Sequence, residues 1–316
     1  MRELRRFAKR SRVDRRTDKH PMPNPSHPAS PTRPTRSNNL LLVLFTLLAL
    51  ALLPRFVSAV GRSLVVPSHS FINYYTAAAL LSEGVNVSQF YDDDWYRQQT
   101  QRFAPGIEDI FTPHLPPSAV MLLPLVPFGH DDARAVWIVL NVAVFALAFG
   151  WLLWHDGPRG WVLPALIALA LLYQPLYSNI RYGQIYALLF ALTTLTWYAY
   201  RQRRDGVAGG ALGAMIIFKL TGMFLLLPLA LERRWRALLW SVVVMLGVAL
   251  VTLPLIGVQP WLTYIELMPD YAARPSFAVT AYQSLPGLFK HLFFYHAEWN
   301  AQPLWDAPFL AALLPP

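Results

Sequence analysis

The chain has 316 residues, 55% of them hydrophobic and only 14% charged, with a mean hydropathy of +0.33, 27 prolines and no cysteine. Soluble globular chains carry about 25% charged residues, so this balance excludes an ordinary soluble enzyme and predicts an all-α, polytopic transmembrane helical bundle. The lack of cysteine also excludes a disulfide framework, a zinc ribbon and an iron–sulfur centre.

The formal charge of +9 is concentrated at one end. Residues 1–39 hold eleven Lys and Arg against Glu3, Asp14 and Asp18, leaving the remaining 277 residues almost neutral. Pro21, Pro23, Pro25, Pro28, Pro31 and Pro34 follow the basic run. A stretch so rich in charge and proline buries too little apolar surface to fold, so 1–39 reads as a disordered cytoplasmic tail. No aromatic residues alternate with its basic ones as a stacking platform requires, so nucleic acid is not an expected partner. The long basic segment and the lack of a small-residue cleavage site also argue against a cleaved signal peptide.

Residues 40–316 form the predicted membrane domain. A crossing helix needs about 20 mostly apolar residues. Residues 40–60 supply the first, with Arg55 placed to snorkel toward the interface, and the basic tail before it predicts a cytoplasmic N-terminus. The segment 61–114 then lies on the outer side, carrying Glu83, Asp92, Asp93, Asp94, Glu108 and Asp109 against Arg62, Arg97 and Arg102. Inside it, 71–83 reads as a short interfacial helix with Tyr74 and Tyr75 at headgroup level. Residues 115–128 carry four prolines and either cross at a kink or dip into the interface. Further crossings are expected at 135–154, 161–177, 183–200, 207–231 and 237–256.

Both flanks of 207–231 are basic, at Arg201-Gln202-Arg203-Arg204 and at Arg233-Arg234-Trp235-Arg236. One spanning helix cannot have both ends in the cytoplasm. Either one cluster breaks the charge rule or the segment turns back near Phe218-Lys219, where a central lysine would be costly in a spanning helix. The last stretch, 257–316, is rich in Trp, Tyr, His and Pro, reads as a late outer loop, and is expected to be truncated at its C-terminal end.

Nucleotide-binding glycine motifs, Gly-x-Ser-x-Gly and His-Glu-x-x-His are absent. Gly209 and Gly213 form a Gly-x-x-x-Gly spacing that predicts close helix packing. Asn86-Val87-Ser88 is a glycosylation sequon on the predicted outer side. Asp92-Asp93-Asp94 supplies a general base or a cation site, or is simply a solvated acidic turn. Arg181 and Gln184 at a helix entry suit a phosphate and a sugar hydroxyl, or an interfacial anchor; Lys219 has the same ambiguity. His114, Lys290, His291 and His296 lie in outer loops without metal-ligand spacing.

Several elements recur together: Phe71-Ile72-Asn73-Tyr74-Tyr75-Thr76-Ala77-Ala78, Pro116-Pro117-Ser118-Ala119, Gly183-Gln184, Phe218-Lys219 and Tyr282-Gln283-Ser284-Leu285. In this order the chain resembles glycosyltransferase family 87, membrane transferases of the GT-C type. The resemblance implies an inverting transfer of mannose or arabinose from a polyprenyl-phosphate donor to a lipid or glycan hydroxyl on the outer face of a bacterial plasma membrane. It implies no cofactor and no metal. The aspartate that relatives carry before the Phe-x-x-Tyr run is Ser70 here, which moves the expected base to Asp93 or Asp94. Arg181 and Lys219 are then the phosphate-side cations, Gln184 and Gln283 contact sugar hydroxyls, and Tyr75 and His114 complete the substrate-binding candidates. The competing readings are a polyprenyl-lipid flippase and a relative that kept the scaffold but lost its base.

Overall fold

The computed structural model describes residues 36–155, 157, 159–280 and 284–312. Most of the predicted disordered tail, and Gln283, lie outside the described residues. Among the described residues the chain is helical, with an isolated β-bridge at His296 and Asn300 and no strand. Three helices are long and apolar enough to cross a membrane, or four if a bent pair is one span.

The first helix, α1 (Arg36–Val65), begins inside the segment expected to be tail and runs through Pro54. Its Leu- and Val-rich faces are exposed, as a lipid-facing helix requires. After a break at Pro67 follows α2 (His69–Ser82), which corrects the interfacial reading of 71–83. Every residue from Phe71 to Leu80 is buried, so the helix has no polar face to lay on a membrane surface. A helix buried on every side over these turns belongs in a core. Tyr74 and Tyr75 accordingly pack inward, Tyr74 edge-on to His114 and Tyr75 against Phe103 and His130.

The outer segment continues through α3 (Asp93–Phe103) and two 3₁₀ turns, Pro116–Val120 and Leu123–Phe128. These proline-broken turns pack on α2 and form no crossing helix at 115–128. The next helix, α4 (Gly129–His155), is pinned to α1 by Arg134, whose buried guanidinium donates to the Leu64 carbonyl at 3.1 Å and pairs with Asp131 at 3.4 Å. The expected crossing at 161–177 is instead α5 (Val162–Leu172) and α6 (Gln174–Tyr182), bent by 47°. Pro175 removes a backbone donor at the bend.

After Gly183 come α7 (Tyr186–Arg201) and α8 (Asp205–Phe218), at 16 and 14 residues shorter than a full crossing. At Lys219 the backbone is extended, and the chain returns through a 3₁₀ turn, Leu220–Leu225, and α9 (Leu226–Leu231) to α10 (Trp235–Ile256). Gly222 folds back onto Met215 and Ile216, while Gly209 meets Ala237 and Gly213 meets Ser241, so α8 and α10 run parallel. The two basic clusters therefore meet at one end of the bundle. Arg234 pairs there with Asp205 at 3.1 Å and donates to the Tyr200 carbonyl at 2.8 Å, and Tyr200 donates to Glu232. The charge conflict along 207–231 is resolved by a hairpin whose tip is Lys219.

Both turns at this basic end place an arginine in the left-handed region, Arg203 and Arg233, each at φ 56°. In each, the following arginine donates its backbone N–H five residues back, to Ala199 or Leu229, closing a turn that usually holds glycine. Arg203→Gly and Arg233→Gly are each expected to stabilise the protein by about 0.5–1 kcal/mol, read as a higher unfolding temperature in detergent. The opposite end carries α2, α3, α11 (Gln259–Ala273), α12 (Leu285–Phe293) and α13 (Pro308–Ala311).

Candidate functional site

The α6–α7 elbow is built around Gly183, which sits at φ 61° with a backbone a side chain would strain. A Cβ there would lie 2.6 Å from the Cβ of Phe71, so glycine lets α2 approach the elbow. Gly183→Ala is expected to push α2 off the elbow and lower the unfolding temperature, by about 1–3 kcal/mol of stability. A buried polar chain fixes the elbow from behind. Trp137 donates to the Gly183 carbonyl at 2.8 Å, Asn141 to the Trp137 carbonyl at 3.0 Å, and the Asn179 carbonyl and side chain accept from the backbone of Gln184 and Tyr186.

This framework aims Gln184 at α2. Its amide donates to the Ser70 hydroxyl, and its carbonyl oxygen accepts from the Tyr74 hydroxyl at 3.4 Å. Beyond Tyr74 the His114 ring lies edge-on at 5.1 Å between centroids, and its Nδ1 is 3.2 Å from the Phe111 carbonyl. Lys219 reaches the same end, its Nζ 4.3 Å from the centre of the Tyr186 ring. Burial, then the charge of Lys219, lowers the His114 imidazole to about 3, so it is neutral near pH 7. Gln184, His114 and Lys219, three of the candidates read from sequence, thus gather around Ser70 and Tyr74.

The others fall elsewhere. Asp94 is exposed and pairs with Arg97 at 2.9 Å, and Asp92 caps α3 by accepting from the Trp95 backbone. Asp93 pairs with Arg274 at 2.8 Å and accepts from Thr112, fastening α3 to the late loop. Among the described residues no hydrogen bond or ion pair links Asp93 or Asp94 to Gln184, His114 or Lys219. Tyr75 donates to the Val126 carbonyl at 3.5 Å, and Arg181 faces a separate cavity between α1 and α6.

Asp109 is a carboxylate that the sequence reading passed over. It lies half-buried where the 108–110 segment runs along the first turns of α2: His69 Nδ1 is 3.2 Å from the Glu108 carbonyl, and Asn73 donates to the Ile110 carbonyl. Burial pushes Asp109 up to about 6, against the opposing influence of the Ile110 backbone N–H, Asn73, His69 and Arg97. Its charge also reaches Tyr74. No spacing rule marks an aspartate in a loop as the neighbour of a helix begun forty residues earlier. Only its position before the aromatic Phe111 hints at burial.

An apolar groove of about 510 Å³ runs between α4, α5 and α7, lined by Phe145, Leu166, Leu169 and Phe190 and ending at Asn179 and Tyr186. Its upper end is the ring on which Lys219 rests.

The family model of glycosyltransferase family 87 matches residues 111–315. The chain belongs to glycosyltransferase family 87. It is thus a membrane glycosyltransferase that brings together a sugar donor and an acceptor. No curated protein and no solved structure matches it. The matched span contains Pro116–Val120, Gly183-Gln184 and Lys219, whereas Ser70, Tyr74 and Asp109 lie upstream of it.

Proposed function

We propose that this transferase moves a hexose or pentose, mannose or arabinose, from a polyprenyl-phosphate donor to a lipid or glycan hydroxyl. The observation that carries this reading is the groove between α4, α5 and α7 with a lysine at its end. An isoprenoid chain suits an apolar channel in the bilayer, and its phosphate then meets the Lys219 ammonium. The basic end of the bundle carries Arg159, Arg201, Arg203, Arg204, Arg233, Arg234 and Arg236, which supports a cytoplasmic placement for it and an outer placement for the site.

In this scheme Asp109 takes the proton of the acceptor hydroxyl as its oxygen attacks C1. The bond from C1 to the phosphate oxygen breaks with inversion, and the electron pair leaves on the polyprenyl phosphate, whose charge Lys219 balances. Gln184, held by Ser70 and Tyr74, hydrogen-bonds the sugar. Neutral His114 offers an imidazole nitrogen without adding a second cation. No cofactor takes part in the scheme.

Membranes carrying the chain are expected to transfer radiolabel from polyprenyl-phosphate mannose or arabinose to an extractable lipid or glycan. Transfer from a nucleotide-sugar but not from the lipid donor would overturn the assignment. Because the base must be ionised, the rate is expected to rise with pH through about 6 and level off above it, a profile measured at saturating donor. The same shift acts oppositely on stability. The folded form holds the Asp109 proton to higher pH than the unfolded chain, so this group's contribution falls as pH rises from about 4 to about 6.

A further inference from the structure

A second cationic cavity, sharing no residue with the groove's lysine end, lies between the upper part of α1 and α6. It has a volume of about 580 Å³ and is lined by Arg55, Arg62 and Arg181 with Ser68, His69 and Tyr177, and no acidic residue lines it. Arg55 lies 5.0 Å over the Tyr177 ring, Arg181 5.4 Å over that of Tyr182, and Arg62 donates to the Ser58 hydroxyl at 2.8 Å. Among the described residues none of the three guanidiniums pairs with a carboxylate. The hydroxyl of Ser68, a residue only 3% exposed, is buried at this cavity without a hydrogen-bond partner.

Three like charges around one cavity repel unless an anion completes them, and guanidinium forks match the oxygens of a phosphate. The cavity opens beside α1, where Leu53 and Val57 flank Arg55 and are exposed on the lipid-facing surface. A ligand there reaches the arginines from the bilayer, with acyl chains along α1 and its phosphate above them. We infer that this cavity binds the headgroup phosphate of an anionic diacyl phospholipid, a site separate from the one proposed for the polyprenyl donor. The Ser68 hydroxyl supplies a neutral donor to the same phosphate.

The test is a fluorescence titration of the purified full chain in detergent with NBD-labelled phosphatidylglycerol and phosphatidylcholine. Undecaprenyl phosphate and inorganic phosphate serve as competitors. Phosphatidylglycerol is expected to bind more tightly than phosphatidylcholine and to lose roughly tenfold or more in affinity in Arg62→Gln/Arg181→Gln. Arg62→Lys/Arg181→Lys is expected to recover part of that loss, since charge returns without the fork, and Arg236→Gln at the far end to leave binding unchanged. Equal affinity in the native chain and the double Gln variant would overturn the inference. So would displacement by inorganic phosphate at matched concentration, which marks a soluble-anion site, or loss of undecaprenyl phosphate competition alone, which marks the donor site. Binding is read without turnover, so absent transfer with intact phospholipid binding counts against the transferase scheme and not against this site.

Discussion

Asp109→Asn is expected to lower sugar transfer from the lipid donor by about 10²- to 10⁴-fold, the range for removing a general base. The isosteric amide keeps the volume and the hydrogen bond from the Ile110 backbone, so the unfolding temperature should change little by comparison. Ser70 stands on the neighbouring turn of α2 and already touches Gln184, so Asp109→Asn/Ser70→Asp is expected to recover a substantial part of the rate. A merely structural Asp109 would not be rescued in this way. Asp93→Asn/Asp94→Asn separates the two carboxylate sources. Asp93 holds Arg274 and Thr112, so this variant should lower stability more than it lowers the rate per folded molecule. If transfer vanishes there and survives in Asp109→Asn, the base lies on α3. If the native chain is silent while Ser70→Asp is active, the scaffold has lost its catalytic group.

The second large effect concerns the bundle. A Cβ on Gly209 would lie 2.0 Å from the Ala237 carbonyl oxygen, and one on Gly213 would lie 2.3 Å from that of Ser241. Both obstacles are backbone, so relief requires α8 and α10 to separate over their shared length. Gly209→Ala/Gly213→Ala is expected to cost about 1–3 kcal/mol per site, lowering the unfolding temperature in detergent. Gly247→Ala on α10 meets nothing within 4 Å and should stabilise slightly, because alanine favours the helix. A double variant as stable as the native chain would mean that the two helices do not pack through these glycines. Because α8 carries Lys219 at its end, the same variant should also weaken transfer.

The residues alone determined the solvent and much of the packing. Hydropathy placed the chain in a bilayer, the Gly-x-x-x-Gly spacing marked a close helix contact whose partner the structure shows to be α10, and the paired arginine clusters with a lysine between them left a turn at Lys219 as one of two alternatives. Such signals are local: charge, proline and small-residue spacing act within a few residues of themselves. The character of 71–83 was not legible, because an apolar helix facing lipid and one buried in protein share one composition; only the surrounding α3, α4 and 3₁₀ turns made α2 a core helix. Asp109 was unreadable for a related reason. Its protonation is governed by burial and by His69 and Asn73, about forty residues away, and the Ser70–Gln184 contact joins residues 114 apart. The cavity of Arg55, Arg62 and Arg181 likewise exists only once α6 packs against α1. Tertiary structure decided these sites because Coulomb forces and desolvation depend on distance in space, and the chain's order carries no record of it.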